Sequence, residues 1–484
     1  MSKKLIVTST LWQMGSQIVM AALSILTVKF VAIGLTKELA GNYNSAYGYL
    51  QLFGILADFG LYAVAVREMS KADDTQKENV LGALLVLRTI ILLISMGTAV
   101  LFVWLMPQWR GTPLPVSVLI ASFVPFFTLL TGIIRTVFQI NYKMHFVFIA
   151  EVLQRIMTTG LIGTFIFLGV RQSSNLFHLH MMLLFGGVGA CFLFLVSFIY
   201  GNRFIRIRPS TDITLIKRLL LRAAPFGVAY LCLAFYRQFD ITLIALLRDD
   251  FELQNAYYGF VVRMADMGFI LPTFLLNSTL PILSERDAKG EDTSLLLGQT
   301  FMTILIIGTV AFLFAALWSR PLVALLTTEQ YLSTATQPGS DTALRLISIP
   351  LLLNGIILYS FYVLLNRHMW KRLVLTLFSA ALLSLGLNVY LIPDYGFVSA
   401  AGVSIVVHVL LACVLLPQAL REMTMSVSLK EIRLWALFSA GTAMGLSLFA
   451  PILTNELSTV IGLVAMTILM GALGWGLKLH KELF

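Results

Sequence analysis

Seven basic side chains stand within or at the edge of the hydrophobic segments of this chain, where an ionised group costs about 2.5–3.5 kcal/mol on membrane-insertion scales. They are Lys29, Arg88, Arg135, Arg155, Arg237, Arg263 and Arg345, of which Arg155 and Arg345 lie near the ends of their segments. A guanidinium can bind phosphate or carboxylate oxygens through two parallel hydrogen bonds, and it keeps its charge at physiological pH. Because this cost recurs at several positions, the embedded basic side chains predict a water-filled cavity that binds an anionic cargo.

Carboxylates stand at helical spacing from some of the embedded bases. Residues three or four apart share one face of a helix and can neutralise each other. The pairs with this spacing are Arg237 with Asp240, Arg263 with Asp266, and Glu151 with Arg155. For these pairs, the sequence is equally consistent with a structural ion pair and with a contact to cargo.

Arg88 and Arg135 have no carboxylate at such a spacing. The positions around Arg88 are apolar, and those around Arg135 offer only Thr131 and Gln139. We therefore predict that both guanidinium groups face the cavity. The alternatives are a carboxylate on another helix and snorkelling to the cytoplasmic edge. Lys29 lies near the outer edge of its segment, where snorkelling competes more strongly.

Asp58 has no basic neighbour on its own helix. We interpret it either as the charge partner of Arg88 or Arg135, or as a ligand for a coupling proton or sodium ion. Asp240 and Asp266 are assigned the same coupling or charge-balancing role. No catalytic residue and no other cofactor is predicted.

The composition is that of a polytopic membrane protein. Of 484 residues, 58% are hydrophobic and only 12% are charged, with a mean hydropathy of +0.88; an average soluble domain is about 25% charged. The net charge of +10 does not indicate nucleic-acid binding, because the bases flank apolar segments and do not form one basic face. The three cysteines lie in apolar segments without ligand spacing, which predicts neither a disulfide framework nor a metal site.

Segments of roughly 20 mostly apolar residues are long enough to cross a bilayer. Fourteen are predicted: 9–33, 42–66, 80–106, 114–140, 148–170, 177–200, 223–247, 257–283, 295–318, 342–366, 373–393, 397–419, 434–452 and 457–477. The ninth could extend to Leu326. The second begins with an unusually polar stretch, residues 41–49.

Basic residues in the connections assign the two sides of the membrane. Those on the side opposite the N-terminus are few: Lys37, Arg110, Arg171, Arg248 and Arg320. Most others lie on the N-terminal side, so the positive-inside rule places both termini in the cytoplasm. The longest cytoplasmic connection, 201–222, carries Arg203, Arg206 and Arg208. We interpret these as a topology anchor, with contact to anionic headgroups as the alternative.

Two stretches of the chain match each other at an offset of 211 residues. The matches are Lys37 with Arg248, Tyr47-Gly48-Tyr49 with Tyr258-Gly259-Phe260 and, at a slightly shorter offset, Ala57-Asp58 with Ala265-Asp266. Each copy falls on an outward span, a short external turn and an inward span. Internal repeats of this kind build several transporter folds as two lobes around a central site.

A family resemblance is carried by residues 45–71, SAYGYLQLFGILADFGLYAVAVREMSK. This run resembles the second-span signature of lipid-linked oligosaccharide flippases, which export O-antigen and exopolysaccharide units. They belong to the multidrug/oligosaccharidyl-lipid/polysaccharide exporter superfamily. Residues 236–240 (YRQFD) and 255–266 (NAYYGFVVRMAD) resemble the matching stretch of spans seven and eight. Asp240 departs from the family pattern, which places the acid one residue nearer to the arginine.

The resemblance implies an all-α polytopic protein with about 14 transmembrane helices and both termini in the cytoplasm. Its domains would be an N-terminal lobe (1–200), a basic cytoplasmic linker (201–222), a C-terminal lobe (223–419) and an extra helix pair (434–484). The two lobes would alternate between inward- and outward-open states. The extra pair would flank the lipid tail of the cargo.

The function implied is translocation of polyprenyl-diphosphate-linked oligosaccharide across a bacterial cytoplasmic (inner) membrane, with membrane lipids and polysaccharide polymerase or chain-length proteins as partners. No nucleotide-binding motif is found, so the energy would come from an ion gradient, the membrane potential or product removal. The alternatives are a peptidoglycan-precursor flippase, a cation-coupled multidrug exporter and, more distantly, a membrane glycan polymerase. The last is an enzyme that would be expected to carry a sizeable external loop, which the chain lacks.

Overall fold

The computed structural model describes residues 3–58, 60–71 and 73–479. The helices are α1 Lys3–Gly34, α2 Lys37–Asp58, α3 Leu61–Lys71, α4 Asp74–Leu105, α5 Leu114–Ala121, α6 Phe123–Ile140, α7 Met144–Phe167, α8 Leu176–Gly201, α9 Ile213–Gln238, α10 Asp240–Leu247, α11 Phe251–Ala288, α12 Ser294–Leu317, α13 Ser319–Leu326, α14 Ser340–Asn366, α15 Trp370–Glu422, α16 Leu429–Phe449 and α17 Glu456–Gly476. Within these ranges the only β-type pairing is a single bridge between Leu35 and Ser173.

Nine helices in the described ranges are long and apolar enough to cross a membrane. Ten predicted spans fall on them, because α15 contains two spans that meet at a kink at Gly396, with φ +59°. The other four fall on α1, on α2 with α3, on α9 with α10, and on α11. The prediction of an all-α polytopic membrane protein is confirmed.

Three predicted spans are each built from two helices in the structure: 114–140, on α5 and α6, and the two spans whose junctions carry predicted site positions. The span 42–66 contains the end of α2 at Asp58 and the start of α3 at Leu61. The span 223–247 contains the junction of α9 and α10 between Gln238 and Asp240. The residues at these junctions include three of the predicted site positions, since Asp58 ends α2, Asp240 begins α10, and Arg237 lies in the last turn of α9.

The chain forms two compact units, Met1–Gly259 and Phe260–Phe484. In the first unit, α1 packs against α7 and α6 against α8. One hydrophobic cluster of this unit joins α3, α4, α6 and the segment after α8 through buried residues that include Leu61, Leu84, Ile134 and Ile207. This cluster fixes the helices that carry Arg88 and Arg135.

In the second unit, α14 packs against α12 and α15. The buried Trp318, between α12 and α13, donates from Nε1 to the carbonyl of Leu446 in α16 at 2.7 Å. Trp318 also packs in one cluster with Leu446 and with Met466 of α17. The last helix pair is thus attached to this unit by a buried indole, which satisfies its N–H while its ring fills the core.

Candidate functional site

Arg88 lies inside α4, and its guanidinium is enclosed at the broken end of α2. Nη1 donates to the carbonyls of Ala57 at 2.7 Å and Asp58 at 2.9 Å, and Nε donates to the carbonyl of Leu129 at 3.1 Å. Nη2 forms an ion pair with Asp58 Oδ1 at 2.5 Å. Only 1% of the Arg88 side chain is exposed.

The break in α2 explains why an arginine is needed there. The last carbonyls of a helix have no intrahelical partner, and none is available from water deep in a bilayer. A guanidinium supplies several donors in a fixed plane, and its charge also opposes the negative end of the helix dipole. Arg88 therefore caps α2 while it neutralises Asp58.

This arrangement pairs Arg88 and Asp58 in the described conformation. The guanidinium lies in an ion pair with a carboxylate on another helix and does not face an open cavity in this conformation, because protein atoms surround it. The Asp58 carboxylate is the ion-pair partner of Arg88, and its own side chain is 38% exposed; its role in charge balance or coupling stays a prediction. A contact between Arg88 and cargo stays a prediction.

Arg135 in α6 forms an ion pair with Glu151 in α7, with Nη1 3.0 Å from Oε1. The Arg135 side chain is 29% exposed, and its Nε is buried without a hydrogen-bond partner among the described residues. Helical spacing assigned Glu151 to Arg155, one turn further along α7. In the structure Glu151 of α7 pairs with Arg135 of α6, and residue spacing along a single helix cannot show such a contact.

Tyr62 of α3 is bonded to α6 close to Arg135. Its hydroxyl donates to Gln139 Oε1, one turn after Arg135 in α6. We call the residues of the two ion pairs and of this hydrogen bond the Asp58 cluster: Asp58, Tyr62, Arg88, Arg135, Gln139 and Glu151. Its two arginines and two carboxylates balance each other.

The other predicted site residues lie on helices that do not carry the Asp58 cluster. Lys29 is half-buried in α1 of the first unit, and Arg263 and Asp266 are half-buried in α11 of the second unit. The side chain of Arg237 lies outside the described residues. Substrate binding by these residues stays a prediction. In the described part of the chain, no group of three or more His, Cys, Asp or Glu is arranged to hold a metal ion.

Asp240 is buried at the start of α10 and accepts a hydrogen bond from the Tyr258 hydroxyl at 2.8 Å. Tyr258 lies two turns into α11, so this bond ties the α9–α10 junction to the following helix. In this conformation the Asp240 carboxylate is therefore directed towards α11. Its predicted coupling role stays a prediction.

A polar interface joins α2 to the start of α11 on the side predicted to be external. Asn44 Nδ2 donates to the carbonyl of Asn255 at 3.1 Å, and Asn255 Nδ2 donates to Ser45 Oγ at 2.9 Å. Two outer bonds run from Asn42 Nδ2 to Glu252 Oε1 at 3.4 Å and from Lys37 Nζ to Tyr257 Oη at 3.3 Å. We call this interface the α2–α11 seam. It lies within the first compact unit.

Small residues allow the seam to close. A Cβ atom added at Gly41 would collide with the backbone carbonyl of Glu252, and one added at Gly259 would lie 2.5 Å from the Cβ of Asn44. Gly41 and Glu252 are 211 residues apart, as are Asn44 and Asn255. The two repeat copies therefore meet at equivalent positions. Sequence analysis missed the seam, although the polar start of the second span was its signal.

The sequence of residues 6–286 matches the family model described as polysaccharide biosynthesis protein. The chain belongs to this family. The resemblance found in residues 45–71 and in spans seven and eight is thereby confirmed at family level. No curated protein matches the chain.

Solved structures show the same fold at low sequence identity. The Lipid II flippase MurJ, in an inward closed conformation, matches with a TM-score of 0.73 and 14% identity, covering 97% of this chain and 98% of its own. An inward-facing multidrug resistance MATE family transporter of the MOP superfamily matches with a TM-score of 0.65 and 13% identity, covering 83% and 94%. A MOP superfamily transporter from Pyrococcus furiosus, described by the reverse polarity of its binding pocket, matches with a TM-score of 0.59 and 18% identity, covering 87% and 96%. The fold is therefore that of multi-pass membrane flippases and transporters.

Proposed function

We propose that the protein is a flippase, and not an enzyme, that moves polyprenyl-diphosphate-linked oligosaccharide units across a bacterial cytoplasmic membrane for surface polysaccharide assembly. The observation that carries this proposal is the extent of the fold match. The Lipid II flippase covers 97% of the chain, whereas the MATE transporter covers 83%. The chain thus shares nearly its full length with a protein named for a lipid-linked cargo, and its family is named for polysaccharide biosynthesis.

The embedded bases supply the chemistry that such a cargo needs. A diphosphate carries negative charge through a medium of low dielectric constant, where an opposite charge on the protein offsets much of the desolvation cost. Arg135 is the best-placed candidate in the first unit, because its side chain is partly exposed and its Nε has no hydrogen-bond partner among the described residues, while Glu151 holds the side chain in position. Cargo phosphate would take the place of the Glu151 carboxylate. Lys29, Arg237 and Arg263 are the further candidates.

The Asp58 cluster offers a route to ion coupling. Its carboxylates each pair with an arginine, so cargo binding to Arg135 would release Glu151 to accept a proton or a sodium ion. Asp58, Asp240 and Asp266 remain the other candidates for this role. In the proposed cycle the α2–α11 seam parts so that the headgroup can leave on the external side.

The proposal is tested by complementation. Cells that lack their own surface-glycan flippase accumulate lipid-linked units and lose the surface polymer, and expression of this protein should restore the polymer and remove the accumulated units. Normal protein levels without either effect would contradict the proposal. Polymerase and chain-length proteins of the same cells would be the expected partners.

The fold match also favours a second candidate, translocation of a lipid-linked peptidoglycan precursor, since the matching flippase is named for Lipid II. Rescue of cells depleted of their Lipid II flippase, without rescue of surface glycan, would select this candidate. Multidrug export is disfavoured because the predicted embedded bases outnumber the carboxylates. Ethidium efflux from vesicles that contain the protein would restore that alternative.

A further inference from the structure

The connection between α8 and α9 is a fixed segment with two different faces. We call residues 202–212 the arm. Ile205 and Ile207 are buried in the hydrophobic cluster of α3, α4 and α6, whereas Arg206 and Arg208, which alternate with them, are exposed. This alternation is typical of an extended backbone with one buried face.

Backbone and side-chain contacts hold the arm in place. Asn202 Oδ1 accepts from the Ile207 amide at 2.8 Å, and Ser210 bonds to Asn79 of α4. The arm backbone lies so close to α4 that a Cβ atom at Gly82 would collide with the carbonyl of Arg208. A topology signal needs only charge on the correct side. The specific contacts that hold the arm in one conformation go beyond what a topology signal requires.

The charge of this region is strongly positive and little compensated. Between residues 201 and 222 the only carboxylate is Asp212, which is occupied as the N-cap of α9, since its Oδ1 accepts from the Thr214 and Leu215 amides at 3.0 and 3.1 Å. Arg222 pairs with Glu68. The exposed basic side chains that remain are Arg203, Arg206, Arg208, Lys217 and Arg218.

Large apolar side chains are exposed among these bases. Ile213 is 77% exposed, Leu221 is 64% exposed, and Phe204 lies next to Arg203 with 37% exposed. A mixture of bases and exposed apolar side chains fits the boundary between headgroups and acyl chains, where each type has a favourable partner. The arm also joins two predicted spans, so it lies close to the membrane surface.

We propose that the arm and the first turns of α9 bind anionic phospholipid headgroups of the cytoplasmic leaflet. The exposed bases contact the lipid phosphates, and Ile213 and Leu221 insert beside the acyl chains. Binding holds the cytoplasmic end of the first unit against the bilayer. This proposal depends on the predicted orientation and is independent of the cargo.

The test compares phosphatidylglycerol with phosphatidylcholine as ligands of the purified full-length protein, measured by native mass spectrometry and by the thermal unfolding temperature. The test variant carries Arg206→Gln, Arg208→Gln, Lys217→Gln and Arg218→Gln. The control variant removes four exposed bases from the same predicted side of the second unit, by Lys371→Gln, Arg421→Gln, Lys430→Gln and Arg433→Gln.

We expect the wild type and the control variant to prefer phosphatidylglycerol, and the arm variant to bind it about tenfold more weakly or less. The preference should vanish at about 1 M salt, where the Debye length is about 3 Å. Equal losses in both variants, or no loss in the arm variant, would overturn the proposal. Displacement of phosphatidylglycerol by inorganic phosphate at equal concentration would also overturn it, in favour of a general phosphate site.

A second measurement does not depend on the folding of any variant. Photoactivatable phosphatidylglycerol is crosslinked to the wild-type protein, and the modified peptides are identified by mass spectrometry. Crosslinks within residues 202–222 are expected. Crosslinks found only elsewhere would contradict the proposal. Protection of the same peptides by added oligonucleotide, but not by phosphatidylglycerol, would indicate a nucleic-acid partner and overturn the lipid assignment.

Discussion

The guanidinium of Arg88 lies 2.5 Å from the carboxylate of Asp58 and also closes the end of the helix that carries this carboxylate. One side chain thus provides both the cap and the counter-charge. The cost of an arginine in the membrane is met here by four acceptors within hydrogen-bond distance. In this conformation the Arg88 side chain therefore joins α4 to α2 and α6.

Replacing Arg88 by Met is expected to destabilise the protein by about 3–5 kcal/mol, because it leaves a carboxylate and two helix-end carbonyls without their donor. Arg88→Lys should recover only part of this loss, since one ammonium cannot reach acceptors on two helices. Asp58→Asn should cost less, because Arg88 keeps its carbonyl partners. Thermal unfolding of the purified variants measures the order of these three losses of stability, with Arg433→Met as the control. An unchanged unfolding temperature for Arg88→Met would contradict the capping role.

Replacing Arg135 by Ala is expected to weaken cargo binding about tenfold to a hundredfold, the loss of one charge-assisted hydrogen bond of about 1.5–3 kcal/mol. Glu151→Gln removes the competitor of the cargo phosphate and should not weaken binding. Binding of a labelled polyprenyl-diphosphate-linked oligosaccharide to the purified variants measures both, and the exposed Arg110→Ala serves as the control. Unchanged binding by Arg135→Ala would remove Arg135 from the site. A similar loss for Glu151→Gln would mean that the ion pair is structural.

Locking the α2–α11 seam is expected to stop transport. In a background without the three native cysteines, Ser45→Cys and Asn255→Cys place two thiols at a contact of 2.9 Å between the present side chains. Crosslinking should abolish export, and reduction should restore it. The matched control is Thr27→Cys with Thr159→Cys, where a buried hydroxyl pair at 2.8 Å joins α1 to α7. Loss of export in the control alone, or full export with the seam crosslinked, would contradict a gating role.

The seam should also respond to pH through Glu252, which lies before the predicted span 257–283. Burial raises the pKa of this carboxyl, the Asn42 amide that donates to it opposes the shift, and the nearby Glu38 charge adds to it. The closed seam therefore favours the protonated acid. Its contribution to stability is full below the ordinary pKa of Glu and is lost as pH rises to the raised value.

Unfolding temperatures measured across this pH range for wild type and Glu252→Gln test the sign. The glutamine keeps an acceptor for Asn42 but does not titrate, so the wild type should lose stability relative to the variant as pH rises. If the unfolding temperatures of the two proteins changed with pH in parallel, closure of the seam would not raise the pKa of Glu252.

The sequence predicted the transmembrane spans better than the contacts between helices. Hydrophobic length places the spans because a bilayer requires about 20 apolar residues, and the predicted span 114–140 coincides with α5 and α6. Hydrophobic length does not show the break after Asp58, because apolar residues continue from Leu61 to Val66; the signal for the break is Gly60, which has a φ of +69°. Helical spacing could pair residues only along one helix, so it missed the contact of Arg135 with Glu151. The seam depends on two segments 211 residues apart, whose contact only the tertiary structure reveals.

The central claim is tested most directly with purified protein in liposomes that contain a fluorescent polyprenyl-diphosphate-linked oligosaccharide in both leaflets. A membrane-impermeant reductant bleaches only the label exposed outside. We predict that wild-type protein makes nearly all of the label accessible, and that Arg135→Ala slows this process. Bleaching limited to the outer-leaflet share, as in protein-free liposomes, would contradict the account.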